Sequence, residues 1–265
     1  MRRIVVLIHR HGAFESEAYY LTRVAELLRE DGLEVVVARG PDAPLDADLA
    51  VLHVDQTVVP PDHLDFLRRF PVVVNGRVHD ISKRRLSRLL LKPGDAYDGP
   101  VIVKADRNNG GLSEARLAQK GFLPASDKIY VPEYALLDSA ADVDPAIWEQ
   151  PDLVVERFEP EMVDGLFCLR MWKFLGDRET HTLAFSRHPI VKGKNVIRRE
   201  EGGSVPEELR AIRRELGFDY GKFDYGLVDG RPVLYDANRT PTYSRPIEEE
   251  LPRIRSFAEG LKSFV

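Results

Sequence analysis

Through its first 75 or so residues the chain alternates short apolar runs with stretches of helical spacing. "RIVVLIH" at 3–9 reads as a buried strand, and "SEAYYLTRVAELLREDG" at 16–32 as an amphipathic helix closed by a glycine. "LEVVVA", "ADLAVLHV" and "PVVVNG" read as three further strands, with "PPDHLDFLRRF" a proline-started helix before the last of them. Strands alternating with helices predict a parallel sheet covered on both faces. "HDISKRRLSRLLLKPGD" at 79–95 has the pattern of a basic amphipathic helix and reads as a connector.

The second half changes period. "GPVIVKAD" is a strand followed by the loop "RNNGG", and "DLVVERFEPE", "FCLRMWKFLG" and "ETHTLAFSRH" predict an antiparallel sheet. "PEELRAIRRELG" is a helix from proline to glycine, and the last twenty residues are helical with a proline interruption. "GKFDYGLVDGRPVLYDANR" reads as a hairpin about Asp229-Gly230, a strong two-residue turn signal. The fold class is therefore α/β, with an α+β C-terminal part.

That hairpin poses a chemical question. Its second strand ends in "YDAN", and residues two apart on a strand share a face, so Asp236 and Asn238 can reach one ion. Asp and Asn are also common turn residues, and both readings stand at this point. Asp224 on the first strand adds a third oxygen ligand in a set suited to Mg²⁺, which keeps waters and shares phosphate oxygens. Upstream, Lys104 ends a strand before the asparagine-glycine loop, where an ammonium and backbone N–H groups could meet a phosphate. The Walker, G-x-G-x-x-G and kinase signatures are absent.

Composition narrows the classes. A net charge of −5 argues against a dedicated nucleic-acid binder, and the 43% apolar fraction is ample for a core. The single cysteine, Cys168, excludes an intramolecular disulfide and a cysteine-based zinc site. The apolar start is too short for a signal peptide or a membrane span, so a cytoplasmic protein with no membrane partner is expected. His9 and His11 follow the first strand at the end where α/β sheets place ligands, although polar loop positions are the commoner role. Trp148 and Trp172 read as packing residues.

Taken in order, a strand-end lysine before a glycine loop, "VVERF", an arginine on the next strand and a terminal acid-x-Asn hairpin resemble the ATP-grasp fold. The likeness is to the branch of glutathione synthetase and the ribosomal-protein glutamate ligases, and it spans nearly the whole chain. It implies an N-terminal parallel α/β domain (1–76), a linker helix (77–99) and an ATP-grasp domain (100–265) with antiparallel-sheet ATP-binding subdomains. Within the last, 100–158 corresponds to the small lid subdomain and 159–265 to the C-terminal subdomain.

By the same resemblance, Lys83 and Lys104 contact nucleotide phosphates. Glu156, Arg157 and Phe158 hold the adenine, and Glu161 or Asp164 the ribose. Arg170 and Arg187 face the triphosphate and the reacting carboxylate, and Asp224, Asp236 and Asn238 hold Mg²⁺. Two departures stand out: Asp236 where the family usually has glutamate, and a loop, "DRNNGGLSEA", leaner in glycine than the usual lid. The implied activity is an ATP-dependent carboxylate–amine ligase, forming an acylphosphate and releasing ADP and phosphate. Its substrates would be a small-molecule or peptide carboxylate and an amine, and a homodimer is one assembly the resemblance allows. A phosphotransferase acting on a hydroxyl and a non-catalytic nucleotide-binding protein are the alternatives.

Overall fold

The first apolar runs form a four-stranded parallel sheet in a computed structural model, which describes residues 2–16, 18–42 and 45–264. In it β1 (Arg3–Ile8) lies between β2 (Glu34–Arg39) and β3 (Leu49–Leu52), and β4 (Val73–Val74) pairs with β3. After Arg3, β1 is wholly apolar and buried, with no solvent face. Ile4, Val6 and Ile8 pack on α1 (Tyr20–Glu30), and Val5 and Leu7 on the side of α2 (Pro61–Leu67). Of the helix expected from residue 16, Glu17 lies outside the described residues, and the observed helix starts at Tyr20.

The expected strand at 71–76 is cut to two residues because Asn75 takes a left-handed φ of 62°. Its side chain replaces the lost ladder. The amide Nδ2 donates to the Tyr220 carbonyl at 2.7 Å, and Oδ1 accepts from the Asp219 and Tyr220 N–H groups.

The basic connector helix expected over 79–95 is corrected to one short turn, α3 (Lys83–Leu86). A three-stranded antiparallel sheet follows, with β5 (Val101–Ala105) at its centre. Beyond β5 the chain forms α4 (Leu112–Gln119), β6 (Ala135–Leu137), α5 (Pro145–Trp148) and β7 (Leu153–Arg157). The connector unwinds because its leucines serve that sheet: the Arg157 N–H donates to the Leu89 carbonyl, and the Leu91 N–H to that of Val155, both at 2.9 Å.

The third sheet has six strands: β8 (Glu161–Val163), β9 (Leu166–Leu175), β10 (Arg178–Ser186), β11 (Val196–Glu201), β12 (Tyr220–Val228) and β13 (Arg231–Asn238). Its order is β11-β10-β9-β12-β13, with β8 beside β9 and every pairing antiparallel. The expected hairpin is present, Asp229 and Gly230 both having positive φ as a type I′ turn requires. One face packs Trp172, Phe174 and Phe223 on α6 (Glu207–Leu216). The terminal α7 (Ile247–Lys262) runs unbroken through Pro252, since Ile254, Phe257 and Leu261 are buried in the core they share with α1. Among the described residues no helix is long and apolar enough to cross a membrane.

Arg239 joins the first sheet to the third. Fully buried, it donates to the carbonyls of Val54 at 3.1 Å, Val78 at 2.7 Å and Gln56. Replacing it leaves buried carbonyls unpaired, each costing about 1–3 kcal/mol. Arg239→Met should therefore lower stability by roughly 3 kcal/mol or more in urea unfolding, whereas Arg198→Met, exposed on β11, should be near neutral.

Candidate nucleotide and phosphoryl-transfer site

A cleft opens between the β6-β5-β7 sheet and the near end of the six-stranded sheet, lined by Ile102, Lys104, Tyr134, Glu156, Phe158, Glu159, Asp224 and Asp236 among others. Register builds its small-sheet wall. Ile102 is opposite Glu156, and Lys104 is two residues further along β5, so Lys104 and Glu156 are diagonal neighbours on one face. Lys104 Nζ lies 2.7 Å from Glu156 Oε2 and donates to the Tyr235 carbonyl at 3.1 Å. Both side chains are buried, and Glu156 Oε1 has no hydrogen-bond partner.

The opposite wall depends on an irregularity. Asp224 pairs with Asp236 but Tyr225 with Leu234, so Tyr235 is an extra residue on β13. The bulge resets the side-chain alternation. Leu234 and Ala237 both enter the core, while Tyr235 and Asp236 both face the cleft. Asp224 and Asp236 are direct cross-strand neighbours there, and Asp224 Oδ1 is buried without a hydrogen-bond partner.

Lys83 reaches this wall from α3, with its Nζ 2.8 Å from Asp236 Oδ1. Asp106 fixes the turn that carries it, accepting from the Lys83 N–H with its carbonyl and from the Arg84 N–H with Oδ1. Burial alone would raise the Asp236 carboxyl, but the Lys83 ammonium overrides it and holds the group below the usual carboxylate range. Lys83 is shifted in the matching sense: burial lowers it, Asp236 more than compensates, and the ammonium is stabilised. Lys222 Nζ lies 2.8 Å from Asp224 Oδ2, so Glu156, Asp224 and Asp236 each face a buried or half-buried lysine.

The fit to Mg²⁺ can be judged from these oxygens. Among the described residues no three His, Cys, Asp or Glu are grouped as a metal cage. Two adjacent carboxylates, one with an unpartnered buried oxygen, are the donor set for an ion that takes its remaining ligands from phosphate and water. Asn238 is placed differently. Its Oδ1 accepts from the Thr240 N–H at 2.8 Å, the turn role, and the side chain is not in the cleft lining.

Several other expected site residues are placed elsewhere. Arg170 shares a face of β9 with Trp172 and Phe174, and makes a bidentate pair with Glu161 at 2.7–2.8 Å. Glu161 also accepts from the Leu227 N–H and is not in the cleft lining. Asp164 is exposed in the β8–β9 turn with φ 51°, and Arg187 is exposed just past β10. Arg157 and Phe158 border the cleft, but their N–H groups already donate to Leu89 and Pro100. The acid that does line the cleft beside them is Glu159, which no sequence pattern singled out. The asparagine-glycine loop does not line it either. It leads into α4, which docks on the first sheet through Ser113 Oγ to Asp55 and through Glu114, which accepts from the Thr57 N–H.

Cys168 borders the cleft, with burial pushing its thiol up to about 12, so it is no nucleophile near neutral pH. Trp172 is core, and Trp148 packs beside the small sheet.

No protein-family model matches the chain, and no curated protein sequence matches it. Solved structures do, end to end. A D-alanine–D-alanine ligase from Bacillus anthracis superposes with a TM-score of 0.53 at 12% identity, over 99% of this chain and 95% of that one. A RimK domain ATP-grasp protein from Sphaerobacter thermophilus gives 0.53 at 17% identity over 99% of both chains. A RiPP-associated ATP-grasp ligase from Chryseobacterium gregarium, solved with ADP and a leader and core peptide, gives 0.52 at 10% identity over 100% and 98%. With this agreement over the whole chain, and the three sheets arranged as described, the protein has the ATP-grasp fold.

Proposed function

We propose that the protein is an ATP-dependent carboxylate–amine ligase. The observation that carries the reading is the set of lysine–carboxylate pairs in one cleft, Lys83–Asp236, Lys104–Glu156 and Lys222–Asp224, on a fold whose solved neighbours include ligases. In this reading Lys83 and Lys104 release their carboxylates to bind phosphate oxygens. Glu156 Oε1, buried without a donor, accepts from the adenine amino group, and Glu159 takes the ribose hydroxyls. Mg²⁺ held by Asp224 and Asp236 supplies neutralisation of phosphate charge.

The substrate carboxylate attacks the γ-phosphorus, the bond to the ADP oxygen breaks, and an acylphosphate forms. An amine nitrogen then attacks the acyl carbon, phosphate leaves, and the amine gives up a proton. No protein nucleophile is needed, in keeping with the raised Cys168 thiol. The ligase neighbour solved with a leader and core peptide supports including peptides among the substrates. An assay of ADP release over paired carboxylates and amines tests the reading. Amide product with free phosphate is expected, whereas a stably phosphorylated product would overturn it in favour of a phosphotransferase.

Lys104→Met should weaken ADP binding by about 10–100-fold, the equivalent of one charge-assisted hydrogen bond. Arg170→Met, altered on the far face of β9, should leave ADP affinity within about twofold, and calorimetry on both folded variants checks the contrast.

Asp236→Asn should abolish turnover and, by leaving Lys83 buried without its counter-charge, should also cost about 3 kcal/mol at pH 7. The Asp236 pKa is depressed below its ordinary 3.8, so the pair's stabilisation is present above that value and lost as pH falls through the depressed one. The gap between wild type and Asp236→Asn should therefore be full at pH 7 and narrow only as pH falls below the ordinary carboxylate range in denaturant titrations.

A further inference from the structure

On the face of the six-stranded sheet that carries Asp224, the next position along holds an arrangement at odds with stability. Lys173 on β9 stands directly opposite Lys222 on β12. Like charges directly opposite on neighbouring strands repel, and a leucine at either site would avoid the cost. The two lysines open into a basin beyond the nucleotide cleft, which Arg199, Arg245 and Arg253 also line.

The charges there do not cancel internally. Glu201 pairs with Arg245 at 2.9 Å and with Arg253 at 3.2 Å, and Arg253 also meets Glu250. Lys222 is held by Asp224. Lys173 and Arg199 are left with no carboxylate partner among the described residues, and the contact found for Lys173 is the Tyr20 ring, 5.7 Å from its Nζ. Burial, with Arg253 and Lys222 nearby, pushes the Lys173 ammonium down to about 8, against the weaker pull of Glu250 and Asp224.

The basin also has a meaningful position. Lys222 belongs to its wall and touches Asp224, which lines the nucleotide cleft, so the two cavities share that pair as a boundary. Tyr20 of α1 and the 242–245 segment after β13 complete the enclosure.

We propose that this basin seats an anionic group of the substrate, a carboxylate or a phosphate, with Lys173 and Arg199 contacting it directly. That the anion belongs to a substrate of the ligation rests on the ligase reading; that an anion binds does not. Lys173 and Arg199 act here as specificity residues, selecting acidic over neutral substrates.

The test is calorimetry on the full chain with L-glutamate and O-phosphoserine as anionic probes and L-glutamine and serine as their neutral counterparts, with and without ADP. Wild type should bind at least one anionic probe at least tenfold more tightly than its neutral counterpart, and the tighter of the two identifies the anion as carboxylate or phosphate. Lys173→Met should weaken that probe by at least about tenfold while ADP affinity stays within twofold. Arg199→Met, at an exposed position, keeps the test valid should the buried substitution disturb folding. Equal binding of charged and neutral probes by wild type, or unchanged probe affinity in folded Lys173→Met and Arg199→Met, would overturn the proposal. Anion binding that these variants abolish, in a protein that releases no ADP with any acceptor, would retain the seat and reject the ligase reading. ADP release with neutral acceptors alone, and no anion preference, would do the reverse.

Discussion

The guanidinium of Arg239 is the pin on which the site depends. It follows Asn238 at the end of β13, yet its donors go to carbonyls of Val54, Gln56 and Val78 in the N-terminal half. A cation buried this deeply is tolerated only when its N–H groups find acceptors, and burial still lowers its pKa to about 10. Asn75 makes the reciprocal contact, leaving the first sheet in a left-handed conformation to bond the start of β12. The strands bearing Asp224 and Asp236 are thus both fastened to the N-terminal half at the hairpin's open end, opposite its turn. Lys83 arrives from the segment just past Asn75 and Val78, which makes its meeting with Asp236 a consequence of the same geometry.

Within the cleft, charge is arranged so that no group is buried alone. Opposite charges a few ångströms apart at low effective dielectric attract by several kcal/mol, much of it offset by desolvation. Such pairs add little net stability, but they keep lysines charged and oriented in a site that excludes much of the water. In the proposed ligase reading a ligand phosphate would replace a carboxylate without the protein reorganising, which is the condition for strong electrostatic stabilisation of a transferring group.

Much of this was legible in the amino-acid pattern and some was not, for identifiable reasons. Long apolar runs such as "RIVVLIH", the Asp229-Gly230 turn and the amphipathic α6 carry their structure in local chemistry, and all three appear as expected. The connector at 79–95 did not, because its leucine run suits a helix face and a sheet edge equally, and the tertiary offer of β7 decided between them. Lys83, Lys104, Glu156, Asp224 and Asp236 converge from four separate stretches, the last two residues sharing the hairpin that the sequence marks by its Asp229-Gly230 turn. Glu159, Lys173 and Arg199 lack such a mark, and their significance comes from neighbours remote in sequence.

Strand parity accounts for the remaining differences. On β9, Met171 and Lys173 share the site face with Phe167 and Leu169, whereas Arg170 falls one residue out of step and turns to the core face. An arginine there has to be neutralised, and Glu161 from β8 does so in a pair that lies outside the cleft lining. On β13 the outcome is reversed by the extra residue at Tyr235: without the bulge, Leu234 in the core would place Asp236 in the core as well. "YDAN" therefore answers its own ambiguity by division. The bulge delivers Asp236 to the cleft as the charged partner of Lys83, and two residues later Asn238 closes the turn that sends Arg239 to its carbonyls.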